Sequence, residues 1–317
     1  MLRSHIGGYF ELELREGESF HPSAMALNSA RHCYEYILQS RQYQRVYVPY
    51  YTCEVVLHSM QKSGVSPVFY AVNEYLEPLV YPVLADNEAF LYTNYYGLKQ
   101  DVVQNICTRY GKNAIIDNAQ AFYAKPIPGI DTFYSPRKFF GVADGGYLYT
   151  DCHIDREMEQ DTSYHRMSHL LMRIDCGPEK GYEAFRQNSH TLIDAPILRM
   201  SRLTNRILST IDYERAREIR LENFSYLHER LKGENSFSFA EYKSSAPMVY
   251  PYWSTDCSLR QKLINNKVFV AKYWPGVADI PHCPELEKDL VENLISLPID
   301  QRYSQADMEL IVDLITK

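Results

Sequence analysis

The sequence contains no C-x-x-C pair, and its seven cysteines (Cys33, Cys53, Cys107, Cys152, Cys176, Cys257, Cys283) are scattered and odd in number. That pattern argues against a disulfide framework or a zinc site and for reduced thiols in a cytoplasmic protein. No apolar run approaches the ~18 residues of a membrane helix. The opening MLRSHIGGYFELEL also lacks the apolar stretch of a secretory signal. Lys and Arg number 33 against 40 Asp and Glu, a formal net charge of -7, with no long basic run. A nucleic-acid partner is disfavoured accordingly. The motifs G-x-G-x-x-G, Walker A and G-x-S-x-G are missing as well, which removes the usual signatures of dinucleotide, nucleotide and serine-hydrolase sites.

What is present is an ordinary globular composition, 45% hydrophobic and 23% charged over 317 residues. This length suits one large domain with a smaller companion. Tyrosine is abundant, at 27 residues, and its apolar body with a polar tip suits interfaces and cleft rims.

Strand and helix signals alternate through the first half. After an irregular arm (1–22) with one short strand expected at YFELEL, the segment NSARHCYEYILQSR reads as a helix capped by Asn28 or Ser29. RVYVPYY then reads as a buried strand, CEVVLHSMQKSG as a helix closed by Gly64, and SPVFYAV as a strand. AFLYTNYY is a strand and QDVVQNICTRYG a helix, followed by strands at AIID, DTFYSP and GGYLYT. The alternation predicts an α/β unit with a mostly parallel sheet, whose ligands bind beyond the carboxyl ends of the strands. Residues 151–211 read as helical without a clear pattern. From Asp212 to Gly233 a helix is expected, with Ile219, Phe224, Leu227 and Leu231 on its apolar face. Strand-like runs follow at SFSFAEY, APMVYPYW and KVFVAKYW, and a last helix is capped at Ser304 with Met308, Ile311, Val312 and Ile315 inward. The expected division is a large domain at 1–211 and a small α+β domain at 212–317.

The chemistry concentrates in two stretches. AIIDNAQA places Asp117 at a strand end with Gln120 three residues on, and YSPRKFFGVADGG places Lys138 in a Pro-stiffened loop beside Phe139 and Phe140. A lone lysine is usually a solvated charge, and an Asp after a strand is commonly a cap or turn residue. Together they suit pyridoxal 5′-phosphate (PLP), with a desolvated Lys138 forming the imine and Asp117 keeping the pyridine nitrogen protonated. Gln120 reads either as a surface amide or as a donor to the cofactor's phenolic oxygen. Ser29, Ala30 and Arg31 read either as a plain helix start or as backbone N–H groups offered to a phosphate dianion. His165 and His169 lie four apart without the Glu of H-E-x-x-H or a third ligand, so no metal site is assigned. Lys272, Tyr273 and Trp274 read as packing residues that could also reach the pocket.

In these segments, and in NSARHCYEYIL, RVYVPYYTCEVVLHSMQKSGVSPVFYAV and LISLPIDQRYSQADMELIVDLI, the chain resembles the DegT/DnrJ/EryC1/StrS family of PLP-dependent sugar aminotransferases. That resemblance implies aminotransferase fold type I: a large domain with a mostly parallel seven-stranded sheet and a small α+β C-terminal domain. It implies Lys138 as the Schiff-base lysine, Asp117 as the pyridinium partner and Gln120 at the phenolic oxygen. It places Ser135 with the Ser29–Arg31 amides at the phosphate. The implied substrates are an amino acid donor, L-glutamate, and a nucleotide-linked keto sugar, in a homodimer serving polysaccharide or glycosylated-metabolite synthesis. Another fold-type-I PLP activity and a non-catalytic relative are the alternatives. Two departures stand out. The ring-stacking aromatic of many members is replaced by Cys53, leaving Tyr51 as a candidate for stacking. The phosphate serine five residues before the lysine is replaced by Phe133, with Ser135 three before it. The segment from Thr150 to Asp212 is also shorter than is usual in the family.

Overall fold

The computed structural model describes residues 6–239 and 246–317. Strands β1 (Met25–Leu27), β2 (Arg45–Pro49), β3 (Ser66–Tyr70), β4 (Glu88–Thr93), β5 (Ala114–Asn118), β6 (Asp131–Tyr134) and β7 (Gly146–Tyr149) form one sheet, in the order β1-β7-β6-β5-β4-β2-β3. Strands β3, β2, β4, β5 and β6 run parallel, and β7 pairs antiparallel with β6 and β1. Helix α1 (Ala30–Arg41) precedes β2. Helices α2 (Glu54–Lys62) and α3 (Gln100–Tyr110) make the crossovers β2–β3 and β4–β5.

Every residue of β4 and β5 is buried, as expected for parallel strands covered on both faces. Alternate side chains divide between two cores: Leu91, Ile115 and Phe133 pack with Ile37 and Val56 on one face, while Phe90, Tyr92 and Ile116 pack on the other. Each such side chain contributes about 1.5–3 kcal/mol on burial. Ser29 caps α1 by accepting the His32 N–H at 3.2 Å, and Gln42 closes the helix in the left-handed region.

The chain continues through α4 (Ser168–Cys176), α5 (Pro178–Thr191), α6 (Arg202–Ser209) and α7 (Tyr213–Leu231). A two-stranded antiparallel sheet of β8 (Tyr250–Trp253) and β9 (Leu294–Leu297) follows, with α8 (Leu259–Asn265), α9 (Glu285–Asn293) and α10 (Gln305–Thr316). Asp307 and Ser304 form the expected capping box of α10.

Several local expectations fail. YFELEL is irregular and exposed, because its alternation finds no partner strand among the described residues. KVFVAKYW supplies a single bridge, Ala271 to Ser296, rather than a strand. Phe237 and Phe239 of SFSFAEY are outside any strand, and Ala240 to Tyr242 lie outside the described residues. On α7 the buried stripe is Ala216, Arg220, Asn223, Phe224, Leu227 and Leu231, with Ile219 beside it. Two polar residues, Arg220 and Asn223, thus take inward positions.

Candidate active site

The parallel strands all deliver their carboxyl ends to one edge. There Asp117 is the penultimate residue of β5, opposite Thr93 of β4 and Phe133 of β6. The Ser135–Lys138 turn leaves the neighbouring β6, so strand adjacency alone brings the carboxylate and the lysine to one place. Asp117 is buried, and its Oδ1 accepts the Ala119 N–H at 2.8 Å. Burial pushes its pKa up to about 6, against the opposing pull of that N–H and of the Lys138 charge. Asp117 has no ion pair among the described residues.

Lys138 is exposed rather than desolvated, because its turn stands at the rim of the sheet edge. Its ammonium lies 5.4 Å from the centre of the Tyr273 ring and has no ion pair among the described residues. Tyr273, offered by the C-terminal part of the chain, has its pKa raised first by burial, while the nearby Lys138 charge pulls it down. Sequence reasoning ranked Tyr273 as packing. Of its two neighbours, Lys272 pairs with Glu292 at 2.6 Å and Trp274 packs 4.9 Å from Tyr51, so only Tyr273 faces the lysine.

Gln120 is 1% exposed, which excludes the surface-amide reading. Its Oε1 accepts the Tyr96 N–H at 2.8 Å, while its Nε2 is shut from solvent with no partner. The N–H fixes which end of the amide is which, and Nε2 is left as a donor for a ligand oxygen. Tyr96 presents that N–H from the left-handed region, at φ 58, a conformation uncommon for a bulky side chain.

Cys53 sits at the N-terminus of α2. Its thiol pKa is raised by burial, and the Lys138 and Asp117 charges both act on it, which puts it beside the pair. Tyr51, the other stacking candidate, is fully buried, with its hydroxyl 3.2 Å from that of Tyr96 and its ring against Trp274.

Around Ser29, Ala30 and Arg31 the backbone comes unusually close to β7. A Cβ on Gly146 would lie 2.3 Å from the Ser29 carbonyl carbon, so only glycine fits. Ser135 is buried and its side chain caps nothing, leaving the hydroxyl available. Asp144, just before the glycines, accepts from the Ser201 N–H and hydroxyl, both at 2.7 Å, and from the Thr204 hydroxyl, which ties the loop to α6.

Of the inward polar residues of α7, Arg220 secures the lysine loop from the other side, while Asn223 donates to the carbonyls of Ile299 and Tyr303. Arg220, 1% exposed, donates to the carbonyls of Met248 at 3.0 Å and Phe139 at 3.4 Å, and its guanidinium lies 4.6 Å from the Phe139 ring. Gln301 accepts from Arg220 and donates to the Phe139 carbonyl at 2.9 Å. A residue directly after Lys138 is therefore pinned to the C-terminal part of the chain. A buried arginine of this kind leaves no mark in helical periodicity.

His165 is exposed in a short turn and His169 is buried on α4, so they share no helix face. No group of three metal-ligating side chains occurs among the described residues.

No protein-family model matches the chain, and no curated protein sequence matches it significantly. Solved structures do. DesV from S. venezuelae superposes with a TM-score of 0.63 at 17% identity, covering 92% of this chain and 83% of that one. The chain has the aminotransferase fold. A DegT DnrJ EryC1 StrS aminotransferase from Brucella abortus gives 0.59 at 16% identity, over 92% and 84% of the two chains. Spr1654 from Streptococcus pneumoniae, in its PMP-form, gives 0.63 at 14% identity, over 92% and 84%. The mostly parallel seven-stranded sheet of this aminotransferase fold is the architecture expected of fold type I.

Proposed function

We propose that the protein is a PLP-dependent aminotransferase acting on a sugar substrate. The observation that carries this reading is the convergence, at one sheet edge, of a buried unpaired Asp117, the unpaired Lys138 and the unpartnered Nε2 of Gln120. An acid, an amine and an amide donor are the groups that PLP would engage at its ring nitrogen, aldehyde carbon and phenolic oxygen. The residues therefore fit the cofactor. Similarity to DesV, to the Brucella abortus aminotransferase and to the PLP- and PMP-forms of Spr1654 supports the same reading at the level of fold.

When bound, PLP supplies an electron sink conjugated to a reactive carbonyl carbon. Lys138 would be the residue that holds this carbon, and the amino donor on this proposal is L-glutamate. The Lys138 amine would also be the group that moves a proton from the substrate's α-carbon, as base and then acid. Asp117 would keep the proton on the pyridine nitrogen, where the negative charge of the reaction is stabilised. A cation there would also hold Asp117 ionised despite its burial. Gln120 would donate from Nε2 to the phenolic oxygen, its orientation set by Tyr96. Cys53 and Tyr273 flank the pair and would shape the space over the ring.

The proposed acceptor is a nucleotide-linked keto sugar, and the proposed assembly is a homodimer. Ile174, Tyr182 and Phe185 of the α4–α5 hairpin and Tyr9 and Phe10 of the N-terminal arm expose large apolar surfaces that a second copy would cover. The proposed domain division is 1–211 and 212–317. The test is absorbance of the purified protein: a band at roughly 410–430 nm that moves to roughly 330 nm with glutamate supports the reading. No uptake of PLP, or no shift with any amino acid, defeats it.

A further inference from the structure

Beside this site lies a cleft of about 620 Å³ whose lining includes Arg31, Glu54, His58, Ser189 and His190. Four nitrogen atoms around it are shut from solvent without a partner: Nε and Nη1 of Arg31, Nε of Arg137 and Nδ1 of His58. Arg137 reaches the cleft wall by donating to the Ser189 hydroxyl at 3.1 Å. Neither arginine forms a salt bridge among the described residues.

The surrounding charges do not account for them. The acids nearest Arg31 are Glu35, Glu54 and Asp194. Glu35 is taken by Lys62 at 2.9 Å, and the other two are exposed. Asp144 faces Arg137 but already accepts three hydrogen bonds from Ser201 and Thr204. Arg166 adds a third positive charge, paired with Asp161 at 2.7 Å. Burial, followed by the like charge of Arg31, lowers the Arg137 pKa to about 10. Helix α1 also starts here, with no acid in its first turn. Two guanidinium groups without an acid partner, beside a helix N-terminus, form a receptor for a doubly charged oxyanion that accepts their forked N–H pairs.

We propose that the guanidinium groups of Arg31 and Arg137 bind a phosphate monoester dianion, with His58 at the edge of the same site. The identity of that phosphate as the cofactor's rests on the PLP reading; the anion site does not. Arg137, immediately before the lysine, would then couple the lysine turn to α5 through Ser189.

The test uses the full chain, dialysed free of cofactor. Its melting temperature is measured in inorganic phosphate and in chloride at equal ionic strength, and its binding of PLP and of pyridoxal is followed by absorbance. Phosphate raises the melting temperature of the wild type above that in chloride, and Arg31→Gln and Arg137→Gln each lose the increment. If the occupant is the cofactor's phosphate, both variants also bind PLP at least tenfold more weakly, a loss of about 1.4 kcal/mol, while their reaction with pyridoxal, which lacks the phosphate, falls no further than that of the wild type. Arg137→Gln melts higher than the wild type in chloride, since one of two like charges is gone. Phosphate competing with PLP identifies the cofactor as the occupant, whereas phosphate stabilising the PLP-loaded protein equally identifies a separate phosphate; either supports the site. Equal melting in phosphate and chloride overturns the proposal from the wild type alone, even if a variant misfolds. An increment that survives in both variants overturns it too. Failure of the wild type to take up PLP refutes the functional reading while the phosphate comparison still decides the anion site.

Discussion

Asp117→Asn should stabilise the cofactor-free protein while removing its proposed function. The wild-type carboxyl has a pKa of about 6 in the folded chain, raised by burial from a reference of 3.8. Between those values the folded state holds the proton more tightly than the unfolded state. Stability is therefore lost as pH rises through this window, the reverse of a salt-bridged carboxylate. Two pKa units correspond to about 3 kcal/mol at pH 8, where Asp117 is ionised, and linkage gives about 1.6 kcal/mol at pH 5. Asparagine keeps the acceptor for the Ala119 N–H and carries no charge to desolvate. Urea denaturation of both cofactor-free proteins reads the effect directly. The variant should lead the wild type by up to about 3 kcal/mol near pH 8, with the lead shrinking by about 1.4 kcal/mol near pH 5. A lead that is absent, or that does not change with pH, would show that Asp117 is not a strained carboxylate and would refute the reasoning. The same substitution should collapse transamination, because a neutral amide does not hold the ring-nitrogen proton.

Other outcomes follow from single contacts. Arg220→Ala removes the hydrogen bonds to Met248 O and Phe139 O and the link to Gln301, and should cost about 3 kcal/mol in a thermal or urea melt. It should also loosen the lysine loop, read as weaker PLP binding. Gln120→Met leaves the Tyr96 N–H buried and unpartnered and should cost about 1–3 kcal/mol in a urea melt. Gly146→Ala forces a Cβ to 2.3 Å from the Ser29 carbonyl carbon and should abolish soluble expression or PLP uptake; a wild-type-like variant contradicts the close approach.

Much of the large sheet was legible because parallel strands are written as short continuous apolar runs. AIID and AFLYT are such runs, and β4 and β5 are buried throughout. Asp117 and the Ser135–Lys138 turn were legible for the same reason, as polar punctuation at strand ends. The three-residue β1 was not, since it is defined only by pairing with β7. YFELEL shows the converse: its alternation has the strand period but meets no partner. Tyr273 and Arg220 escaped because their roles arise from contacts across more than 80 residues of sequence, with Lys138 and Phe139. Arg137 escaped because a basic residue next to a candidate lysine looks solvated until its surroundings are known.

The most direct test of the central claim is to reduce the PLP-loaded protein with borohydride and locate the modified residue by peptide mass spectrometry. The account predicts a pyridoxyl group on Lys138 alone, and no such adduct, nor any band at roughly 410–430 nm, in Lys138→Ala. A label on another lysine, or a full visible band in Lys138→Ala, would contradict it.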